Sequence, residues 1–297
     1  MKNDNHNCLP FYERIDEQNH RRNYAYGDIY PLFCPNDRFL AFQIARRHTT
    51  TAVQIKLVNL ADEANVRDIT AVVTGTLQSW TIVENAYTDN AGNAMDIIVY
   101  APNFSVFRRT LEEGRYYLRF YDGTRWLYSE VFTVVSRLSN YLRITWRNLT
   151  DIRLADGWIK YEGLGFTYTN TLYLATELGK PEYPFDEEGE NRDGYFFAEK
   201  QVSSKTYKAV TIAPEYLCDC MRLIRLSDIV DVRDGYGNEY ACDTFLATPT
   251  WKEQGNLAEV VLEFTTGTVV KTIGHGWTRS GDYDSADFNS DYNNFNT

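Results

Sequence analysis

The sequence is poor in the residues that most enzymes use for chemistry. Histidine occurs four times, at His6, His20, His48 and His275, and none of these sits in a recognisable motif. There is no Gly-x-Ser-x-Gly elbow to hold a serine nucleophile above a sheet. Gly163-x-Gly165 and Gly235-x-Gly237 are isolated turn glycines, without the glycine-rich run that cradles a phosphate. The five cysteines (Cys8, Cys34, Cys218, Cys220, Cys242) are odd in number and scattered. Cys218-Asp-Cys220 is C-x-C and lacks zinc spacing. All five are expected as reduced thiols that pack as small hydrophobes. The acidic run of residues 186–193, and the tail residues Asp282, Asp284, Asp287 and Asp291, lack the ligand order of a calcium loop and read as solvated charge. Paired carboxylates for glycoside hydrolysis have no sequence signature, so among 41 acidic residues that class stays open. These absences predict a non-enzyme with no cofactor and no metal.

Long apolar runs are missing too. None approaches the roughly 18 residues that span a bilayer, so no membrane partner is expected. The opening Met-Lys-Asn-Asp-Asn-His-Asn-Cys has no apolar stretch of a secretory signal, and synthesis in a cytoplasm is expected. Basic charge is in deficit, with 30 Lys and Arg against 41 Asp and Glu, a formal net charge of −11. Such a field repels a duplex, so no nucleic acid is expected. His20-Arg21-Arg22 and Arg46-Arg47-His48 are too short to make a binding stripe and read as the charged rim of a protein interface.

What the chain has in excess is aromatic residues, 15% of the total, led by 22 Tyr. Aromatic rings fit pleated, half-buried surfaces, and Tyr is enriched at protein interfaces. Residues 39–44, 52–59, 69–75, 80–83 and 95–100 read as strands, with Val53, Ile55 and Leu57 alternating onto one face. Asp122-Gly123-Thr124 between Gly114–Tyr121 and Trp126–Val135 is a strong hairpin signal. Many short strands without a convincing helix predict an immunoglobulin-like β-sandwich domain over residues 1–137, which includes an N-terminal arm. Ser136–Asn140 reads as a seam.

Residues 138–272 read as a second, β-rich α+β domain. Strands are expected at 141–146, 157–162, 167–175, 205–212, 228–232, 239–247 and 258–264, with a proline-flanked acidic loop at 180–193. The one helix is announced by Pro214 and Glu215, then by Leu217, Met221 and Ile224 at spacings of four and three. Residues 273–297 are polar, with few aliphatics but five aromatics, Trp277, Tyr283, Phe288, Tyr292 and Phe295. A segment of that composition cannot form a core alone, so it is expected to be an extended tail whose aromatics bind a partner.

Three stretches carry a resemblance to a family. These are Cys8-Leu-Pro-Phe-Tyr-Glu with Tyr24-Ala-Tyr-Gly-Asp-Ile-Tyr-Pro-Leu; Glu113-Gly-Arg-Tyr-Tyr-Leu-Arg-Phe continuing to Trp126–Val135; and Leu172–Tyr183 with Ala213-Pro-Glu-Tyr-Leu-Cys-Asp. They resemble virion structural proteins of tailed phages that infect Bacteroidales, the crAss-like group among them. The resemblance implies a non-catalytic tail, collar or baseplate component, present as a ring and bound to copies of itself and to other virion proteins. It carries no catalytic residues over. An alternative function stays open, a carbohydrate- or receptor-binding module for host attachment.

Overall fold

In the computed structural model, residues 6–22, 30–75, 79–102, 111–155, 157–192, 194–251 and 256–272 are described. The fold is mainly β. The first ten strands are β1 (Phe11–Tyr12), β2 (Phe33–Pro35), β3 (Phe42–Arg47), β4 (Gln54–Asn59), β5 (Asp62–Asp68), β6 (Trp80–Thr88), β7 (Ala94–Tyr100), β8 (Gly114–Tyr121), β9 (Trp126–Ser129) and β10 (Phe132–Val135). They are followed by β11 (Leu142–Arg147), β12 (Ile152–Leu154), β13 (Gly157–Ile159), β14 (Asn170–Leu174), β15 (Phe185–Arg192), β16 (Tyr195–Pro214), β17 (Ile229–Arg233), β18 (Glu239–Ala241), β19 (Thr244–Trp251) and β20 (Leu257–Thr272). The helices are α1 (Asn19–Arg22), α2 (Thr70–Val73) and α3 (Glu215–Ile224).

Contacts divide the chain into two units, Met1–Pro181 with Thr206–Gly267, and Glu182–Lys205 with Thr268–Thr297. In the first unit, β8 is the hub of a seven-stranded sheet. It pairs antiparallel with β4 on one edge and with β9 and β10 in succession on the other. A three-stranded sheet, β3-β7-β6, faces it. The inner faces meet through rings: Phe42 lies 5.0 Å from Phe11, 5.2 Å from Tyr100 and 6.1 Å from Phe120. Strand β7 reads Asp-Ile-Ile-Val-Tyr because both of its faces are covered. Ile98 and Tyr100 join the inner core, while Ile97 and Val99 pack with Ile159, Leu164 and Tyr168 on the far side.

The expected division at 137/138 is not where the contacts divide the chain. One apolar core includes Phe42 and Phe120 from the first stretch, and Ile144, Leu217 and Val260 from the second. Buried Gln43 ties the two stretches together: its Nε2 donates to the Lys160 carbonyl (2.7 Å) and its Oε1 accepts from the Lys160 N–H (2.9 Å). The seam at 136–140 is polar because it is a surface turn. It joins strands that share a core.

Helix α3 forms where its stripe predicts, with Pro214 as its N-terminal flank and Leu217, Met221 and Ile224 buried. Two expectations fail. Residues 69–75 hold the turn α2, because the Asp68 carboxylate accepts the Thr70 N–H (2.9 Å) and starts a helical turn where a strand was expected. The acidic segment 185–192 is strand β15, paired with β16 along its whole length. Its charges point into solvent, so alternation of apolar residues never marked it.

The break between β9 and β10 is filled by side chains. Ser129 Oγ accepts the Leu118 N–H (2.8 Å), taking over a ladder bond. Buried Glu130 accepts from Asn19 N (2.8 Å) and Tyr12 OH (3.2 Å) through Oε2, and from Val131 N (3.0 Å) through Oε1. Burial, and then this carboxylate, push the Tyr12 phenol well above its usual range. Glu130→Ala removes the acceptor of three donors, of which the Val131 N–H is buried, a loss of about 1–3 kcal/mol expected as a lower urea midpoint. An unchanged midpoint would mean that water serves these groups equally well.

Candidate interaction site

The sequence-predicted partner-binding residues Trp277, Tyr283, Phe288, Tyr292 and Phe295 lie outside the described residues. What the structure does describe is an arm that composition did not single out. Strands β15 and the first half of β16 form an antiparallel hairpin, in register from Phe185 opposite Ser203 to Arg192 opposite Tyr195, with a bulge at Glu188/Gly189. Among its described side chains none is buried. Tyr183, Phe185 and Phe196 are 69%, 62% and 51% exposed, and Val269 and Val270 of the same unit are exposed as well.

Alternation gives this hairpin two unlike faces. One carries Phe185, Glu187, Gln201 and Phe196, and the Gln201 amide donates to the Glu187 carboxylate across the strands. The other carries Asp186, Glu188 and Glu190, with Lys200 Nζ 3.3 Å from Glu188. β15 is the edge strand of a four-stranded sheet, β15-β16-β20-β19, and along the hairpin none of the described side chains is buried. Large apolar rings held on such an element are the pattern of a surface that awaits a partner.

A second surface lies on the outward face of the seven-stranded sheet. Lys56 and Arg119 stand directly opposite each other across β4 and β8, and Arg119 stands opposite Tyr128 of β9. Trp126 relieves the like charges: Lys56 Nζ lies 5.1 Å and Arg119 Cζ 5.2 Å from its ring centroid. Tyr121 packs beside Trp126 at 5.3 Å. Arg119 Nε is buried and has no hydrogen-bond partner among the described residues.

The basic cluster Arg46-Arg47-His48 is a correction. Arg46 is not at a rim; it is buried and pairs with fully buried Asp96 (Nε to Oδ2, 3.2 Å). Its Nη1 also donates to the Asp122 carbonyl (2.6 Å), joining β3 to the turn between β8 and β9. In that turn Gly123 has a φ of 103°, and a Cβ there would lie 2.9 Å from Thr49 and 3.0 Å from Arg46. Asp96 Oδ1 lies 2.8 Å from His48 Nδ1 and accepts the Asn85 N–H (3.0 Å). Burial works against its charge, but these bonds outweigh burial and hold its carboxyl below the ordinary range. No local pattern marks this network, because its members lie on separate strands and turns.

The thiols of Cys34, Cys218 and Cys242 each face a backbone carbonyl, those of Arg38, Ala213 and Tyr240 respectively. Cys8 and Cys220 face each other. Among the described residues no three His, Cys, Asp or Glu side chains gather as metal ligands. Among them, too, no helix is long and apolar enough to cross a membrane.

Fold and surfaces together define a mainly β chain whose largest apolar cluster draws on both stretches, with a hairpin arm none of whose described side chains is buried. No family model matches it, and no curated protein is significantly similar to it.

Proposed function

We propose that this chain is a non-catalytic virion structural or adaptor protein, part of a tail, collar or baseplate ring, that binds copies of itself and other virion proteins. The facing sheets of the first 137 residues are read as an immunoglobulin-like sandwich, a scaffold that leaves loops and edges free for contacts. The observation that carries the reading is the arm: a hairpin that buries none of its described side chains yet holds Phe185 and Phe196 in solvent. Identical subunits usually satisfy such surfaces by closed symmetry. The tail aromatics Trp277, Phe288 and Phe295 supply a second set of anchors in this reading. Localisation follows: the virion, after assembly in a host cytoplasm.

The test is self-association of the full chain by sedimentation velocity. Phe185→Ser with Phe196→Ser should weaken it at least about tenfold, since aromatic anchors dominate interfaces. Tm should stay where it is, because neither ring packs in the core. Unchanged association would remove the arm from the contact. A second reading, carbohydrate or receptor binding, is favoured by the Trp126–Tyr121 pair on an open sheet face. It requires a soluble monomer or trimer that binds glycans and loses that binding with Trp126→Ala.

A further inference from the structure

Cys8 and Cys220 are 212 positions apart, and their sulfurs lie 3.3 Å apart. Both are almost fully buried in the same apolar core. Each is held by its own surroundings. On one side of Cys8, Asn7 grips the Gln43 backbone twice, its Nδ2 donating to the carbonyl and its Oδ1 accepting the N–H, both at 2.8 Å. On the other side, the Pro10 carbonyl accepts the Glu130 N–H (2.9 Å), and Phe11 stands opposite Ser129 in β1–β9. Cys220 sits on α3 between the buried Leu217, Met221 and Ile224. Cys220 Sγ also lies 3.8 Å from the His6 carbonyl, and the remaining thiols each face a carbonyl of their own and, among the described residues, no second sulfur.

We propose that Cys8 and Cys220 are a site of intrachain disulfide formation. The bond would join the N-terminal segment to helix α3 once the chain meets an oxidant of the low-molecular-weight disulfide or diazene class. The sulfurs need to approach by a little over about 1 Å to reach bonding distance. The step balances: the two thiols lose two protons and two electrons, one S–S bond forms, and glutathione disulfide is cleaved to two molecules of glutathione. With diamide, the N=N bond takes up the same two protons and electrons and becomes a hydrazine.

The environment fixes when this occurs. Burial first, then the neighbouring sulfur, push the Cys8 thiol well up, so Cys8 is a poor nucleophile while the core is closed. Reaction therefore waits on brief opening of the N-terminal segment, and the pair stays reduced in a reducing cytoplasm. In an oxidising medium the bond closes and fixes that segment. The inference goes beyond the assembly reading and holds whatever partner the arm takes.

The experiment uses the reduced full chain, treated with diamide or with glutathione disulfide. Peptide mapping without reduction should show Cys8 joined to Cys220 and the other three cysteines free. Tm should rise by about 5–10 °C, because the link closes a very long loop, and should fall back with reductant. Cys8→Ser and Cys220→Ser should each abolish the rise. Should either variant fail to fold, the wild-type map decides alone. Cys8 and Cys220 still free after oxidation, or Cys220 joined to Cys218 or Cys242, would overturn the assignment.

Discussion

Replacing Asp96 with alanine is expected to destabilise the chain by about 3–5 kcal/mol, the usual cost of leaving one partner of a buried ion pair alone. The size follows from what remains. Asp96 is fully buried, and it neutralises Arg46, whose own side chain is almost fully buried. Without it, the Arg46 guanidinium keeps carbonyl partners at Thr49, Thr51 and Asp122 but has no counter-charge. The Asn85 N–H also loses its acceptor, at a position where Asn85 is held at a φ of 50° by the bulge in β6. The strain there persists only while its surroundings hold it.

The same carboxylate sets a pH dependence whose sign is fixed. Its folded-state pKa lies below its unfolded-state value. Its contribution is therefore full above the unfolded-state carboxylate value of about 3.9 and is lost as pH falls through the lower folded-state value. Chemical denaturation of wild type and Asp96→Asn should show a stability difference that shrinks as pH falls below about 4. A difference that persists unchanged below about pH 3 would mean that the charge is not what holds this site.

Parts of this fold were legible because one residue pattern decided them locally. Leu217, Met221 and Ile224 at helical spacing marked α3, and Asp122-Gly123 marked the β8–β9 turn, where Arg46 crowds the space a Cβ would need. Strand β5, Asp-Glu-Ala-Asn-Val-Arg-Asp, was illegible because every residue is exposed and pairing with β4 alone makes it a strand. Strand β15 was hidden for the same reason, and with it the arm. The stretch at 136–140 is a different case. A polar stretch at 136–140 looks the same in sequence whether it links two domains or turns between strands of one. Only long-range partners such as Gln43–Lys160 and Cys8–Cys220 tell the two apart.

Phe42→Ala should cost about 3–5 kcal/mol, the range for removing a fully buried ring from a packed core. Phe42 contacts rings on four strands of both facing sheets, with Phe11, Phe120 and Tyr100 within about 6 Å and Trp80 at 6.4 Å. Its ring cannot be replaced by local collapse, because the strands around it are fixed by ladders on both edges of β7 and β8. The more informative quantity is where the loss is felt. A single cooperative core transmits it to helix α3, which lies on the far side of the expected seam. Native-state hydrogen exchange should then show protection falling by the same amount at Ile97–Tyr100 and at Leu217–Ile224. If protection falls in β7 while α3 keeps its own, the chain holds two independently folding cores, and a domain boundary near residue 137 describes it better than one continuous interior.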